Sequence, residues 1–565
     1  MTSLMFVASV ITTGKVAPAQ PLSYFSLKPL PKGTIVRVVV KGKPTIGIVT
    51  GFVHARERKL ELRAAAFSLK KVSGDLPGIL PEWFRSWITE CSLFFAAPEG
   101  ALYHTFLPPV LSALPPSVAA DGGRASEKKR PAEFFVLQNE DRNRLSRCKT
   151  IIREAFAKKE SVFICCPTTE SVSRIAQELS RGIERHCFEL SSALTRKEIS
   201  KNLKSALASP HPILITATAS FLGIPREDIK TWIIEEEGSN AYFSIARPFI
   251  DFRVCAELLV KTKGGSLVLA DRLLRIETLT RFNEGKLMEL APLDWRLKPE
   301  AAVKVIDMRE YRKNSPKGFS LLSGELLELT RETLDSGGRL LVYCARRGLA
   351  PLCLCGDCGE TVNCQNCVAP VVLHSSKDGQ LFICHRCGTR RSAAENCRHC
   401  GSWKLTALGA GAEGVTGEIK SKIPTAEVFR LDSDSAKTSK QAEKIAREFL
   451  NTTGGILVGT DLALNYLSEK VASVAVSSFD SLFAIPDYRV SERLIRLILK
   501  LSSLAKKKFL IQTRNPKNEI IKDVLGGKIK ELIQNETKMR ESLGYPPFKT
   551  FVKITASGRW PAPER

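Results

Sequence analysis

Four Cys-x-x-Cys pairs lie between Cys355 and Cys400: Cys355/Cys358, Cys364/Cys367, Cys384/Cys387 and Cys397/Cys400. Each pair places two thiolates on one tight turn, which is half of a tetrahedral zinc site. Four pairs therefore supply two all-thiolate sites. One pair could arise by chance or serve redox chemistry, but four regularly spaced pairs leave little room for either. Closed four-thiolate sites have no open coordination position, so the expected metal is structural and folds a segment too short for its own core. The spacing leaves nested, sequential and crossed pairing all open. His374, His385 and His399 are alternative ligand types nearby, but beside eight thiolates they read as surface or supporting residues.

A chain of 565 residues exceeds the roughly 250–300 residues at which single cores stop growing, so several domains are expected. Hydrophobic content of 44% with 25% charged residues belongs to the soluble globular class. Lys+Arg 84 against Asp+Glu 59 leaves a net charge of +25, which makes polyanions the natural partners. The cysteines outside the cluster are scattered, several of them in apolar runs such as VFICC and LLVYC, and read as buried reduced thiols. Thiolate ligands beside free thiols point to a reducing, cytoplasmic setting. The start, MTSLMFVASVITTG, lacks the basic region of a signal peptide. No stretch approaches the roughly 20 apolar residues of a membrane span, so no membrane partner is expected.

Along the chain, β-branched runs such as GTIVRVVVKG and PTIGIVTGFV predict a small β-rich domain over 1–108. Residues 109–132, rich in Pro, Gly, Ser and charge, read as a linker. Apolar runs then alternate with amphipathic stretches: VFICCP, PILITAT, TWIIEEE and GGSLVLAD, with ESVSRIAQELSRGI and IARPFIDFRVCAELLVKTK between them. That alternation predicts a parallel α/β lobe over 133–290. A second series (AAVKVIDM, GRLLVYCAR, TAEVFRLDS, GGILVGTD, VASVAVSS, FLIQT) predicts another lobe over 291–350 and 404–515. The cysteine module, 351–403, interrupts it, and 516–565 form a further C-terminal segment.

The chain resembles the primosomal protein N′ family, superfamily 2 helicases that restart stalled bacterial replication forks. The resemblance is carried by ARRGLAP (Ala345–Pro351), the cysteine spacing with VVLHSS and CHRCG, and LGAGAEGV (Leu408–Val415). It continues through VFRLDSDSA (Val428–Ala436), ILVGTD, FDSLFAIPDYRVSER (Phe479–Arg493) and ESLGYPPF (Glu541–Phe548), in the family's order. It implies two RecA-like helicase lobes, an N-terminal β-rich DNA-binding domain and a two-zinc insertion in the second lobe. It also implies nested pairing, with Cys355, Cys358, Cys397 and Cys400 on one zinc and Cys364, Cys367, Cys384 and Cys387 on the other. In the family this module contacts partner proteins and DNA. The resemblance leads us to expect no counterpart of the family's winged-helix module before lobe 1 and only the start of its last domain before ASGRWPAPER.

The motor motifs depart from the family pattern. The phosphate-binding loop should fall in LQNEDRNRLSRCKT (Leu137–Thr150), which contains no glycine to wrap phosphates and whose Glu140 and Asp141 would repel them. Lys149 falls in the expected helix and reads as a surface lysine. The acidic motif is Glu235, Glu236, Glu237, Gly238; Glu235 and Glu236 could still hold a cation, or could simply end a strand. LADRLLR (Leu269–Arg275) replaces the third motif. In LILKLSSLAKKKF (Leu497–Phe509), Lys506, Lys507 and Lys508 stand where arginine fingers are expected and cannot reproduce their planar fork. ATP and Mg²⁺ are therefore in doubt as cofactors. Lys32, Arg37, Lys41 and Lys43, among the N-terminal strands, are candidate DNA-backbone contacts.

The resemblance and the motif losses together imply a replication restart protein without helicase activity. It would bind abandoned or stalled forks, or junctions of single-stranded and duplex DNA. It would help reload the replisome through primosome and replicative-helicase loading proteins. The alternatives are an active ATP-dependent 3′→5′ DNA helicase, or a zinc-containing RNA- or ribosome-binding protein.

Overall fold

The computed structural model describes residues 5–552 except 16–17, 19, 58–68, 108–129, 297–298, 313–319, 346–351, 367–370, 377–378, 385–388, 409–410, 468 and 485–486. Cys367, Cys387, His385, most of ARRGLAP and most of the linker thus lie outside the described residues, as does the end of the chain. The chain divides into two compact units, Met1–Leu293 and Asp294–Arg565.

The first unit opens with β1 (Phe6–Thr12), β2 (Leu22–Ser26), β3 (Thr34–Val40), β4 (Lys43–His54), β5 (Lys70–Lys71) and β6 (Gly74–Ile79), in the order β5-β2-β1-β4-β3-β6. Period-2 alternation places Ala8, Val10, Val36, Val38 and Val49 in one core. Two helices follow, α1 (Glu82–Phe95) and α2 (Glu99–Phe106), where the sequence pattern had suggested only β structure. Phe84, Trp87 and Phe106 are fully buried aromatics of this pair.

The α/β lobe of this unit comprises β7 (Ala132–Gln138), α3 (Asp141–Ala157), β8 (Ser161–Cys166), α4 (Thr169–Leu179), β9 (Cys187–Leu190), α5 (Arg196–Ala208), β10 (Leu214–Thr218), β11 (Ile229–Glu235), α6 (Phe252–Lys263), β12 (Gly265–Asp271), α7 (Ile276–Asn283) and β13 (Met288–Glu289). All strand pairs are parallel, in the order β13-β7-β12-β11-β8-β10-β9. The central strands are buried on both faces, which is why VFICC reads as an unbroken apolar run. The helix expected over IARPFIDFRVCAELLVKTK starts only at Phe252. Pro248 interrupts the stretch, and the Asp251 carboxylate caps the helix by accepting from the Arg253 amide.

The second unit holds β14 (Ala302–Asp307), α8 (Gly324–Asp335) and β15 (Leu340–Tyr343), then the cysteine module. The module is a five-stranded sheet in the order β19-β18-β17-β16-β20: β16 (Leu352–Cys355), β17 (Val372–Ser376), β18 (Gly379–Ile383), β19 (Arg390–Ser392) and β20 (Leu405–Leu408). The lobe resumes with α9 (Ala412–Lys422), β21 (Glu427–Leu431), α10 (Ser439–Asn451), β22 (Gly455–Gly459), α11 (Asp461–Tyr466), β23 (Val471–Val476), α12 (Val490–Leu504) and β24 (Ala505–Thr513). Its sheet, β14-β24-β23-β15-β22-β21, is parallel throughout. Helices α13 (Glu519–Leu525) and α14 (Ile529–Leu543) complete the unit. No described helix is long and apolar enough to cross a membrane.

Within the first unit, α1 packs on α6: the Trp87 indole donates to the Cys255 carbonyl at 2.7 Å. Beside this seam, Lys263 donates to the Arg226 carbonyl, with its ammonium 4.5 Å from the centre of the Trp83 ring. Burial pushes the Lys263 ammonium down to about 8. The folded chain therefore binds fewer protons than the unfolded chain between that value and the ordinary lysine value of about 10.4, and stability rises with pH across the window. The stability difference between Lys263→Met and the parent should be most favourable to the variant near neutral pH and should shrink toward pH ~10. Urea titrations across that range that show a pH-independent difference would contradict this assignment.

Candidate functional site: a cysteine module and an arginine-filled crevice

The outer cysteine turns converge. The Sγ atoms of Cys355, Cys358, Cys397 and Cys400 all lie within 4.8 Å of one another. Cys355 and Cys400 approach to 3.5 Å, and Cys358 and Cys397 to 3.3 Å. A tetrahedron with metal–sulfur bonds of about 2.3 Å has sulfur–sulfur edges of about 3.8 Å, so this constellation fits zinc. Glycines with positive φ, Gly359 (65°) and Gly401 (73°), close the two turns by donating to the Cys355 and Cys397 carbonyls. Burial alone would raise the Cys355 thiol, but the Cys358 and Asp357 amides and the neighbouring thiols outweigh it and hold it at about 6. Burial and the same crowding push Cys358 up. A divalent cation would relieve that conflict.

At the other site, Cys364 and Cys384 are buried in one cluster with Cys353, Val371 and Phe382. His399 is exposed and stands outside the outer thiol group. The module is tied to its own unit by Arg514, which donates to the Gly359 carbonyl at 3.0 Å.

In the first unit, the carboxyl ends of β7, β11 and β12 form the crevice where open α/β sheets place their ligands. Only Asn139 and Glu140 separate β7 from α3, so no loop is available to cradle phosphates. Lys149 lies within α3 and pairs with Glu178. The crevice is filled by arginine instead. Arg144, from the first turns of α3, forks onto Glu235 with Nε and Nη2 contacts of 2.6–3.0 Å, and both side chains are only 1% exposed. Its remaining nitrogen donates to the Asn139 carbonyl and the Asp141 carboxylate.

The next two glutamates also face arginines, the first of them partly exposed. Arg174 of α4 meets Glu236 at 2.9 Å. Arg275 meets the buried Glu237 at 2.7 Å and adds a backbone bond at 2.6 Å. In this structure Glu235 faces the buried Arg144 and the partly exposed Glu236 faces Arg174, so each has a cation supplied by the chain. Burial lifts the Glu235 carboxyl above its ordinary range, opposed by Arg144, whose own guanidinium is held firmly protonated by Glu235 against its burial.

The candidate backbone contacts are all exposed but not gathered. Lys41 (φ 48°) and Gly42 (φ 79°) form the two-residue turn between β3 and β4, and Lys43 follows it, so Lys41 and Lys43 share a hairpin tip. Arg37 projects from mid-β3 between buried Val36 and Val38. Lys32 sits beyond the far end of β3, whose seven residues span about 24 Å at ~3.4 Å each. In the second unit, Lys506, Lys507 and Lys508 start β24 on the exposed side, and Lys508 pairs with Glu332. The PDYRVSER segment is structural: Glu492 accepts from the fully buried Arg540 of α14 at 2.9 Å, and that guanidinium lies 5.2 Å from the centre of the Tyr488 ring.

The described chain thus combines two parallel, RecA-like α/β lobes, a cysteine-built insertion in the second and an N-terminal β-sheet. The chain is similar in sequence to bacterial proteins named replication restart protein PriA. It is 28% identical to replication restart protein PriA of Thermotoga maritima over 367 residues, which are 64% of this chain and 48% of that protein. With the Bacillus subtilis protein of the same name it shares 28% over 354 residues, 61% of this chain and 43% of the relative. With that of Rickettsia conorii it shares 27% over 420 residues, 72% and 63% of the two chains. The chain thus spans about half the length of the first two relatives. No family model matches it. Among solved structures, Mss116p bound to single-stranded RNA and AMP-PNP covers 80% of the chain at 10% identity and a TM-score of 0.41, with 76% of its own chain covered. The DUF1998 helicase MrfA bound to DNA and AMPPNP gives 81%, 10% and 0.37, with 53% of its chain covered.

Removing one partner of a buried ion pair strands the other charge. Arg144→Met is therefore expected to cost about 3–5 kcal/mol of unfolding free energy, and Arg144→Met with Glu235→Leu to recover most of it. Denaturant unfolding of the full chain measures both. A cost below about 1 kcal/mol for the single variant would show that the pair is not formed as described.

Proposed function

We propose that this chain is a replication restart factor that has kept the architecture of a fork-remodelling helicase and works without ATP turnover. It binds abandoned or stalled replication forks in the cytoplasm and helps reload the replisome by recruiting primosome and replicative-helicase loading proteins. The observation that carries the non-hydrolytic part is the arginine on each acidic-motif carboxylate, Arg144 on Glu235 above all. A divalent cation at Glu235 would have to displace a buried guanidinium that already satisfies both carboxylate oxygens, and the two-residue turn at Asn139–Glu140 offers no backbone nest for phosphate. The names of the sequence relatives and the ordered motifs support the restart role.

The cysteine module is proposed to hold two structural zinc ions. Cys355, Cys358, Cys397 and Cys400 form one closed site; Cys364 and Cys384, with Cys367 and Cys387, form the other. When bound, zinc supplies cross-linking rather than catalysis, because four thiolates leave no coordination position for water or substrate. The strands and the Arg514 contact hold the module to the second lobe, where its outward face is the recruitment surface. In the N-terminal sheet, the exposed hairpin tip with Lys41 and Lys43, and Arg37 on the strand beside it, are the proposed contacts to DNA backbone.

One experiment covers both halves. The full chain and a Cys355→Ser/Cys358→Ser variant are assayed for bound zinc and for binding to a fork with a free 3′ end, plain duplex and structured RNA at matched salt. The parent is expected to carry two zinc ions and to favour the fork. The variant should lose one zinc and keep its fork affinity within a fewfold. Equal affinity of the parent for all three nucleic acids would contradict fork recognition, since backbone charge alone predicts that result.

A further inference from the structure

Helix α5 carries Lys197, Lys201 and Lys204 at i, i+4 and i+7, all exposed, on the side opposite its buried Leu203 and Ala206. Residues at these steps are neighbours about 5–6 Å apart, so the three ammonium groups form one row along the helix. Among the described residues none of them has an ion-pair partner. Some other basic helix positions are paired: Lys149 with Glu178, Lys444 with Glu448 and Arg447 with Glu443. The acid of α5, Glu198, is turned back onto its N-terminus, where it accepts from the amide and hydroxyl of Thr195 at 2.7 Å each. It caps the helix and leaves the row unneutralised.

At the end of the helix the positive charge turns inward, where Arg226 is buried and paired with Asp228. Arg226 caps the C-terminal end by donating to the Ala206 and Ser209 carbonyls. Beyond it, His211 meets the His186 ring at 5.4 Å, which brings exposed Arg185 to the same end. This surface lies at the β9 edge of the sheet, whereas the arginine-filled crevice lies over β7, β12 and β11.

We propose that the outer face of α5 is a nucleic-acid backbone contact, separate from the crevice and from the N-terminal sheet. Point-charge ammonium groups in a row suit successive phosphates and carry no base readout. An acidic protein partner fits less well. Protein interfaces centre on buried aromatic or aliphatic anchors, and none of the exposed large hydrophobic residues lies on α5. The contact serves any nucleic acid with a continuous backbone, so it does not rest on the fork assignment.

The test compares two full-length variants of equal charge change. One is Lys197→Glu/Lys201→Glu/Lys204→Glu on α5; the control is Lys440→Glu/Lys444→Glu/Arg447→Glu on α10. Binding to a plain duplex is measured across a salt series, with thermal melts to verify folding. The α5 variant should lose about 2–3 from the slope of log affinity against log salt, as expected for about three lost phosphate contacts, and the α10 variant much less. Equal slopes for the two variants would overturn the proposal. So would an equal loss of polyglutamate binding by the α5 variant, because that would mark a site for acidic protein instead.

Discussion

The guanidinium of Arg144 is bonded to Glu235, Asp141 and the Asn139 carbonyl, and Glu235, buried with it, cannot be left unpaired inside the lobe. A charge removed from water must be paired and hydrogen-bonded to be tolerated, and this one makes full use of its donors. Because the fork holds the end of β7, the start of α3 and the end of β11 together, the short turn between β7 and α3 follows naturally. Arg275 pairs with the buried Glu237, and Arg174 with the partly exposed Glu236. The crevice is thus preorganised by the protein's own cations, in the place where an α/β motor would rely on a nucleotide and its metal to organise the lobe.

The second unit uses a different constraint for the same end. Its insertion has only a small apolar cluster, in which cysteine sulfur supplies much of the contact. Paired thiols on glycine-closed turns draw chain ends together without a large core, and Arg514 fastens the result to β24. Buried arginine pairing recurs at Glu492 and Arg540, where the first turn of α12 braces α14.

Much of this was legible in the sequence because it depends on local pattern. Four cysteine pairs at fixed spacing, and apolar runs such as VFICC and TWIIE, specify turns and buried strands within a few residues. What was not legible depends on distance along the chain. The partners of Glu235, Glu236 and Glu237 lie 91, 62 and 38 residues away, and nothing near an arginine marks which carboxylate it will meet. Strand β7 was hidden by the charged, proline-containing stretch that runs into it. The helical pair α1 and α2 was masked by aromatic residues that favour strands in isolation but here fill the seam with α6. The scatter of Lys32 away from Lys41 and Lys43 is likewise a matter of strand length, which residue type cannot reveal.

The central proposal is that the chain's own charges in the crevice take the place of nucleotide and its metal. It is tested most directly by steady-state ATP hydrolysis of the full-length chain with Mg²⁺ and saturating forked DNA, alongside Glu236→Gln. The account predicts no DNA-stimulated turnover above background for either protein. Turnover by the parent that Glu236→Gln abolishes would contradict it.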